Sequence, residues 1–371
     1  MARGTTWPRP FLGGRLPKDV GQGKGARRWT YARVGVDPAR VGVAVSALTH
    51  EVRYRAPARS GRPLVLPGHF AGVVRVGRER LALTTDTVGT KTLLAEELNR
   101  WGEVGEDLVG VNVNDLAAIG ARPSALVDTI LCRAPDTRIL RAIGRGINRG
   151  LERAECSLLG GETAIVPEMV EGFDLGATAL GFFPGNRQPI LGNKIRPGDE
   201  LLGLPSRGVH ANGFTLIRRL VKSAHVDLSA RRTGGPTPLG VELLRPTRIY
   251  TRASEAIADD AATRGLAHIT GGGVRNLARL NRRVRFSLDS WPEPTGIFAW
   301  LADLGRIPAR ELYQTFNMGI GFVVAVRSGN IDRILTRLSE SGLRDGRKVG
   351  DVETGSGVAL PHLGVTYPGY H

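Results

Sequence analysis

The segment Leu81-Ala82-Leu83-Thr84-Thr85-Asp86-Thr87-Val88-Gly89-Thr90-Lys91 constrains this chain more than any other. Its apolar opening reads as the end of a buried strand, and Leu93, Leu94 and Leu98 beyond it read as a helix. The chain must therefore turn from strand to helix within a few residues. Thr85, Asp86, Thr90 and Lys91 then stand at one sheet edge, where a carboxylate can ligate a cation and a lysine can meet phosphate. Asp and Gly are also ordinary turn residues, so the segment gains weight only from carboxylates in equally unusual settings downstream.

Two such carboxylates follow. Residues 105–120 read as a helix with Asp107 near its start and Gly120 as its stop. Leu108, Val111, Asp115, Ala118 and Ile119 share one face of it. An aspartate in a core-facing stripe is costly unless it is paired, metal-bound or capping a neighbouring loop. Glu162 follows Gly160 and Gly161 and precedes Thr163; the glycines allow close backbone approach to a ligand. Asp86, Asp115 and Glu162 together suggest a magnesium–nucleotide site, because Mg²⁺ takes a few carboxylates plus water and phosphate oxygens. Asp128 is a further metal candidate. The chain has neither a GxxxxGK[ST] loop nor the kinase HRD and DFG set.

The second half supplies polar loops. His210, Asn212 and Gly213 sit where a strand leads into the helical pattern 214–221. His210 is the best acid–base candidate, since an imidazole changes charge near neutral pH. Thr270, Gly271, Gly272 and Gly273 precede another helical stretch and make a phosphate cradle or a flexible turn. Asn317 stands at a strand entry, where it anchors substrate or serves the turn; Arg248 suits a carboxylate or a phosphate.

A chain of 371 residues allows two domains. Short apolar runs alternate with helical patterns from 64 to 183, including a strand at 125–131, a helix at 139–154 and a strand at 177–183. Residues 184–189 punctuate the chain and mark the domain junction. Residues 1–30, rich in Gly, Pro and Arg, are expected to be disordered. The net charge is +16, but the arginines are spread along the chain and aromatics are only 6%, so a nucleic-acid partner is disfavoured. Two cysteines without metal-ligand spacing and no apolar run of membrane length fit a cytoplasmic enzyme.

Seven phrases occur in order: TDTVGTK (85–91), VNDLAAIGA (113–121), LLGGETA (158–164), GVHANGFTLIR (208–218), PTRIY (246–250), AHITGGG (267–273) and TFNMGIG (315–321). Over residues 31–352 they resemble the AIR synthetases, the phosphoribosylformylglycinamidine cyclo-ligases of the PurM-like ATP-binding superfamily. The resemblance implies an α/β (α+β) two-domain fold. Residues 31–187 would be an N-terminal mixed-sheet domain that binds ATP and forms a homodimer, and 188–371 a C-terminal α/β domain. It implies ATP-dependent cyclisation of formylglycinamidine ribonucleotide in purine synthesis, with Mg²⁺. Asp86, Asp115 and Glu162 would bind the metal. Thr85, Asp86, Thr90, Lys91, Asn114, Gly160, Gly161 and Thr163 would bind the nucleotide. His210, Asn212, Gly213, Thr270, Gly271, Gly272, Gly273 and Asn317 would bind substrate, and His210, Lys91 and Asp115 would be catalytic.

Thr87 stands where the family pattern has glycine, which restricts the backbone there. Other readings are a different ATP-dependent enzyme of the superfamily, such as a thiamine-phosphate kinase or selenophosphate synthetase, or a basic nucleic-acid-binding protein. Selenophosphate synthetase is disfavoured because the N-terminal arm holds no cysteine.

Overall fold

The computed structural model describes residues 29–370 apart from 53, 55–56, 58–60, 66–67, 232–234 and 236, and no side chain at 38 or 39. The expected extension over residues 1–30 therefore lies, up to residue 28, outside the described residues. Two mixed sheets organise the rest.

The first sheet contains β1 (Arg62–Val65), β2 (Gly72–Val76), β3 (Glu79–Thr87), β4 (Arg122–Cys132), β5 (Ser157–Ile165) and β6 (Phe173–Phe182). Its order is β1-β2-β3-β6-β4-β5, with β4 and β5 parallel and the other neighbours antiparallel. Along β6 the side chains alternate: Phe173, Leu175, Ala177 and Ala179 are buried and their neighbours half-exposed. The buried face packs on the helix Trp101–Ala117, which in turn packs on Thr137–Ala154, capped by Asp136 through Arg138 N at 2.8 Å. The two helices meet backbone to backbone. A Cβ on Gly146 would lie 2.0 Å from Gly102 O, and one on Gly105 2.2 Å from Ile143 O.

The opposite face is open. Leu83 and Val127 are 46% and 44% exposed there, in rows with Leu180 and Thr178 of β6. The helix begins four residues earlier than its apolar stripe suggests, so Asp107 lies in its interior. Gly120, at φ +75°, still ends the turn that follows it.

The second sheet contains β7 (Glu200–Pro205), β8 (Thr263–His268), β9 (Val284–Ser287), β10 (Ile320–Val326), β11 (Arg347–Thr354), β12 (Gly357–Leu360) and β13 (Val365–Tyr367). Its order is β13-β12-β9-β11-β7-β10-β8. Every residue of β10 is buried, as a central strand covered on both faces requires.

Polar side chains lock the two sheets together. Arg187 binds Glu255 and Asp259 with four hydrogen bonds of 2.5–3.1 Å. Asn114 donates to Arg248 O at 2.8 Å and accepts from Tyr250 N at 2.8 Å. Ser254 Oγ donates to Ala117 O at 2.8 Å. Among the described residues no helix is long and apolar enough to cross a membrane.

Candidate active site

The strand-to-helix turn after β3 forms as the sequence suggests: β3 ends at Thr87 and a helix runs over Lys91–Glu97. Gly89 takes the left-handed conformation, φ +64°, that the turn requires, whereas Thr87 is paired with Gly176 and carries no such strain. The glycine-to-threonine departure therefore leaves the turn intact.

Asp86 faces the helix Trp101–Ala117, and Asn112 Nδ2 donates to Asp86 O at 3.3 Å. The Asp86 carboxyl accepts from Thr87 N at 2.8 Å. It is nevertheless pushed up to about 6, first by burial and then by the charge of Asp115. Asp115 comes from the last turn of that helix and meets His268, at the end of β8, with Nδ1 to Oδ1 at 2.9 Å. A proton on Nδ1 leaves Nε2 as the acceptor of the ring. The carboxylate belongs to one sheet's helix layer and the imidazole to the other sheet.

His69 joins this recess. Its Nε2 donates to Leu191 O at 3.3 Å, and its Nδ1 is buried without a partner. Burial, chiefly, holds the ring down to about 4, so it stays neutral. Arg279 acts on both His69 and Asp86 electrostatically.

Beside this centre, Asn212 Nδ2 donates to Thr270 Oγ1 at 3.0 Å and brings the 208–213 loop against the 270–273 loop. Asn276 Nδ2 gathers Gly271 O at 3.1 Å and Gly273 O at 2.9 Å, fixing the glycine turn from behind. A Cβ on Gly273 would lie 2.0 Å from Tyr313 O, so only glycine fits there. Gly213, at φ +79°, opens the helix Phe214–Ser223. Thr90 Oγ1 lies 3.0 Å from Thr215 Oγ1 on that helix. Asp86 leads into Thr90 and His268 into Thr270, so the acidic centre and the loop pair adjoin along the chain.

Several expected residues are placed differently. Lys91 does not face an open phosphate site. Its Nζ is fully buried, ion-paired with Asp107 Oδ2 at 2.7 Å and donating to His210 O at 2.8 Å and Arg245 O at 2.9 Å. Burial works against both charges of that pair. Asp107 Oδ1 also accepts from Thr247 N at 2.8 Å and Thr247 Oγ1 at 2.6 Å.

His210 is not an exposed acid–base group either. It is 1% exposed, at φ +62°, and accepts at Nε2 from Arg207 N at 3.2 Å. Burial first, with the nearby Lys91 charge adding to it, drives its pKa well below the ordinary histidine range, so its ring stays neutral. Asn114 is spent on the backbone of Arg248 and Tyr250. Asn317 is spent on Gly208 O at 3.0 Å and Gly319 N at 3.0 Å. Arg248 forks onto Asp345 at 2.6 and 3.1 Å. Thr85 lies on the sheet face away from Asp86 and donates to Ala177 O at 2.9 Å.

Glu162 parts company with the other acids. Registered rows put Asp86, Ala177, Asp128 and Gly161 on one face and Thr87, Gly176, Thr129 and Glu162 on the other. Gly160, Gly161, Glu162 and Thr163 are all exposed on the edge strand β5, three strands from β3. Gly161 leaves room for Asp128, whose Oδ1 would lie 2.1 Å from a Cβ there. Among the described residues no three His, Cys, Asp or Glu side chains form a ready-made metal cluster. Asp86 and Asp115 are the carboxylates that the fold brings within electrostatic reach of each other, and both are hard oxygen donors.

His268, His69 and Arg279 are the residues that sequence reasoning passed over. His268 heads the AHITGGG phrase, which was the available signal.

Comparison with known proteins follows the same division. The description "AIR synthase related protein, N-terminal domain" matches residues 68–183, and its C-terminal counterpart matches 196–362. A phosphoribosylformylglycinamidine cyclo-ligase of Methanothermobacter thermautotrophicus is 41% identical over 84% of this chain and 91% of its own length. That of Methanococcoides burtonii is 40% identical over 85% of this chain and 96% of its own. Among solved structures, the HypE–HypF complex aligns at TM-score 0.62 with 16% identity, over 86% of this chain and 96% of the other. A ThiL complexed with AMPPCP and TMP aligns at 0.60 with 18% identity, over 86% and 92%. At such identities the structures establish a shared fold.

Proposed function

The chain belongs to the AIR synthase family, and on that premise we propose that it closes formylglycinamidine ribonucleotide into aminoimidazole ribonucleotide, converting ATP to ADP and phosphate. The observation that carries this reading is the Asp115–His268 contact beside Asp86, a polar relay that joins the two sheets at one recess.

The formyl oxygen of the substrate is a poor leaving group. Transfer of the γ-phosphoryl group to it creates a good one; the amidine nitrogen then attacks the same carbon, phosphate departs and a proton is lost from nitrogen. Catalysis of this kind rests on positioning and charge stabilisation. Asp86 and Asp115 would hold Mg²⁺, which when bound neutralises charge on the nucleotide phosphates. His268 orients the Asp115 carboxylate and presents Nε2 as a proton acceptor. Asn212, Thr270 and the glycines at 213 and 271–273 hold substrate. Lys91, His210, Asn114 and Asn317 act through the scaffold that sets these loops.

Residues 31–187 are taken as the ATP-binding and dimerising unit and 188–371 as the second domain. A second copy of the chain is taken to cover the open face bearing Leu83 and Val127. Glu162 projects from that same face and would lie in the interface. The deciding experiment is turnover by purified protein: ATP should be consumed only with formylglycinamidine ribonucleotide present, yielding aminoimidazole ribonucleotide. ATP consumption indifferent to that substrate would refute the assignment.

A further inference from the structure

We propose that Arg279 is a phosphate-binding residue of this site, held ready by Phe70 and by Tyr370 near the end of the chain. The proposal rests on the functional reading above and names a residue that reading does not require.

The guanidinium of Arg279 lies 3.9 Å from the ring centroid of Tyr370 and 5.2 Å from that of Phe70. Among the described residues it has no hydrogen bond and no ion pair, and its Nε is buried without an acceptor. Other arginines of the chain behave differently: Arg187, Arg248 and Arg333 each grip a carboxylate. Stacking satisfies the two faces of a guanidinium and leaves its edge, a planar fork of N–H donors, unspent. That edge matches a phosphate, which accepts two parallel hydrogen bonds. A buried donor without a partner is destabilising unless a ligand supplies the acceptor.

The location suits a phosphorylated reactant. Arg279 exerts its charge on Asp86 and His69. Tyr370 packs onto the glycine turn: its ring edge lies 3.0 Å from where a Cβ on Gly272 would be, and its hydroxyl reaches Gly271 O at 3.4 Å. Arg275 holds the tail by donating to Tyr370 O and to Gly369 O, the latter at 3.3 Å. The tail thus fixes the guanidinium and the glycine loop in one assembly.

ATP and the ribonucleotide both present phosphate, and steady-state kinetics with each varied in turn separates them. Arg279→Ala should raise the KM for one of the two by about 10- to 100-fold, the loss expected for a charge-assisted pair, with a smaller change in the other. Arg279→Lys, which keeps the charge without the fork, should recover part of that and serves if the alanine variant fails to fold. Tyr370→Ala should raise the same KM several-fold with little change in kcat, and Tyr370→Phe, which keeps the ring, should restore most of it. A merely structural role would instead lower the melting temperature and reduce both substrates' kinetics together. Unchanged KM values in folded Arg279 variants of an active enzyme would overturn the proposal alone. A wild-type protein that makes no aminoimidazole ribonucleotide would overturn the functional reading itself.

Discussion

Lys91→Met is the substitution that best separates scaffold from chemistry. Both Lys91 and Asp107 have side chains 0% exposed, and the ammonium is shared among Asp107 and two backbone carbonyls. Its removal leaves a carboxylate in the interior with only Thr247 for company. Breaking a buried pair from one side typically costs about 3–5 kcal/mol, because the remaining charge is uncompensated. Against a total stability of roughly 5–15 kcal/mol, that brings the protein near its limit. Adding Asp107→Asn removes the stranded charge yet keeps an oxygen for Thr247, so the double variant should regain at least about 2 kcal/mol. Urea titration followed by the fluorescence of the five tryptophans measures both differences. Turnover by the refolded double variant, within about tenfold of wild type, completes the test. A single variant as stable as wild type would contradict the ion-pair argument. A folded but inactive double variant would mean that Lys91 touches a reactant after all.

Asp86 titrates near 6 in the folded chain and near 4 when unfolded, so between those values the folded protein holds a proton that the unfolded chain has released. Ligand-free stability should therefore increase as pH falls from about 7 to about 4, by up to about 3 kcal/mol from this group, while Mg²⁺-dependent turnover declines through about pH 6; Asp86→Asn should flatten the stability difference. His268→Asn should lower kcat by about 10²- to 10⁴-fold, as expected for a proton acceptor, in protein that the melting curve shows to be folded. If the proposed dimer forms through the open sheet face, paired Leu83→Glu and Val127→Glu changes should shift the sedimentation coefficient from that of a dimer to that of a monomer, since they place charges on that face.

The strand, turn and helix around Asp86 were legible because their signals are local: apolar run, glycine, leucine spacing. Asp115 was legible as an aspartate in an apolar stripe. The separation of Glu162 from Asp86 is a matter of face parity, which is set by register with β4 and by a bulge between Leu126 and Val127. No local pattern encodes that. The burial of Lys91 was hidden for a related reason: its partner Asp107 read as a helix-start residue, whereas the helix begins earlier and turns it inward. His210 and His268 look alike in sequence, each within a glycine-bearing motif. Their difference lies in what surrounds them, two backbone amides for one and a carboxylate for the other. The unpaired state of Arg279 is likewise a property of packing, invisible in a chain so rich in arginine.

The contact between Asp115 and His268 has a consequence for how such a molecule can be divided or recombined. Cutting the gene within 184–189 would give two fragments, each lacking one member of this contact, so on the proposed function neither would turn over alone. Mixing them would restore turnover only to the extent that the fragments reassociate in native register. Chimaeras assembled from distant relatives meet the same demand, since swapping either part must preserve the spacing of a single 2.9 Å contact across the seam.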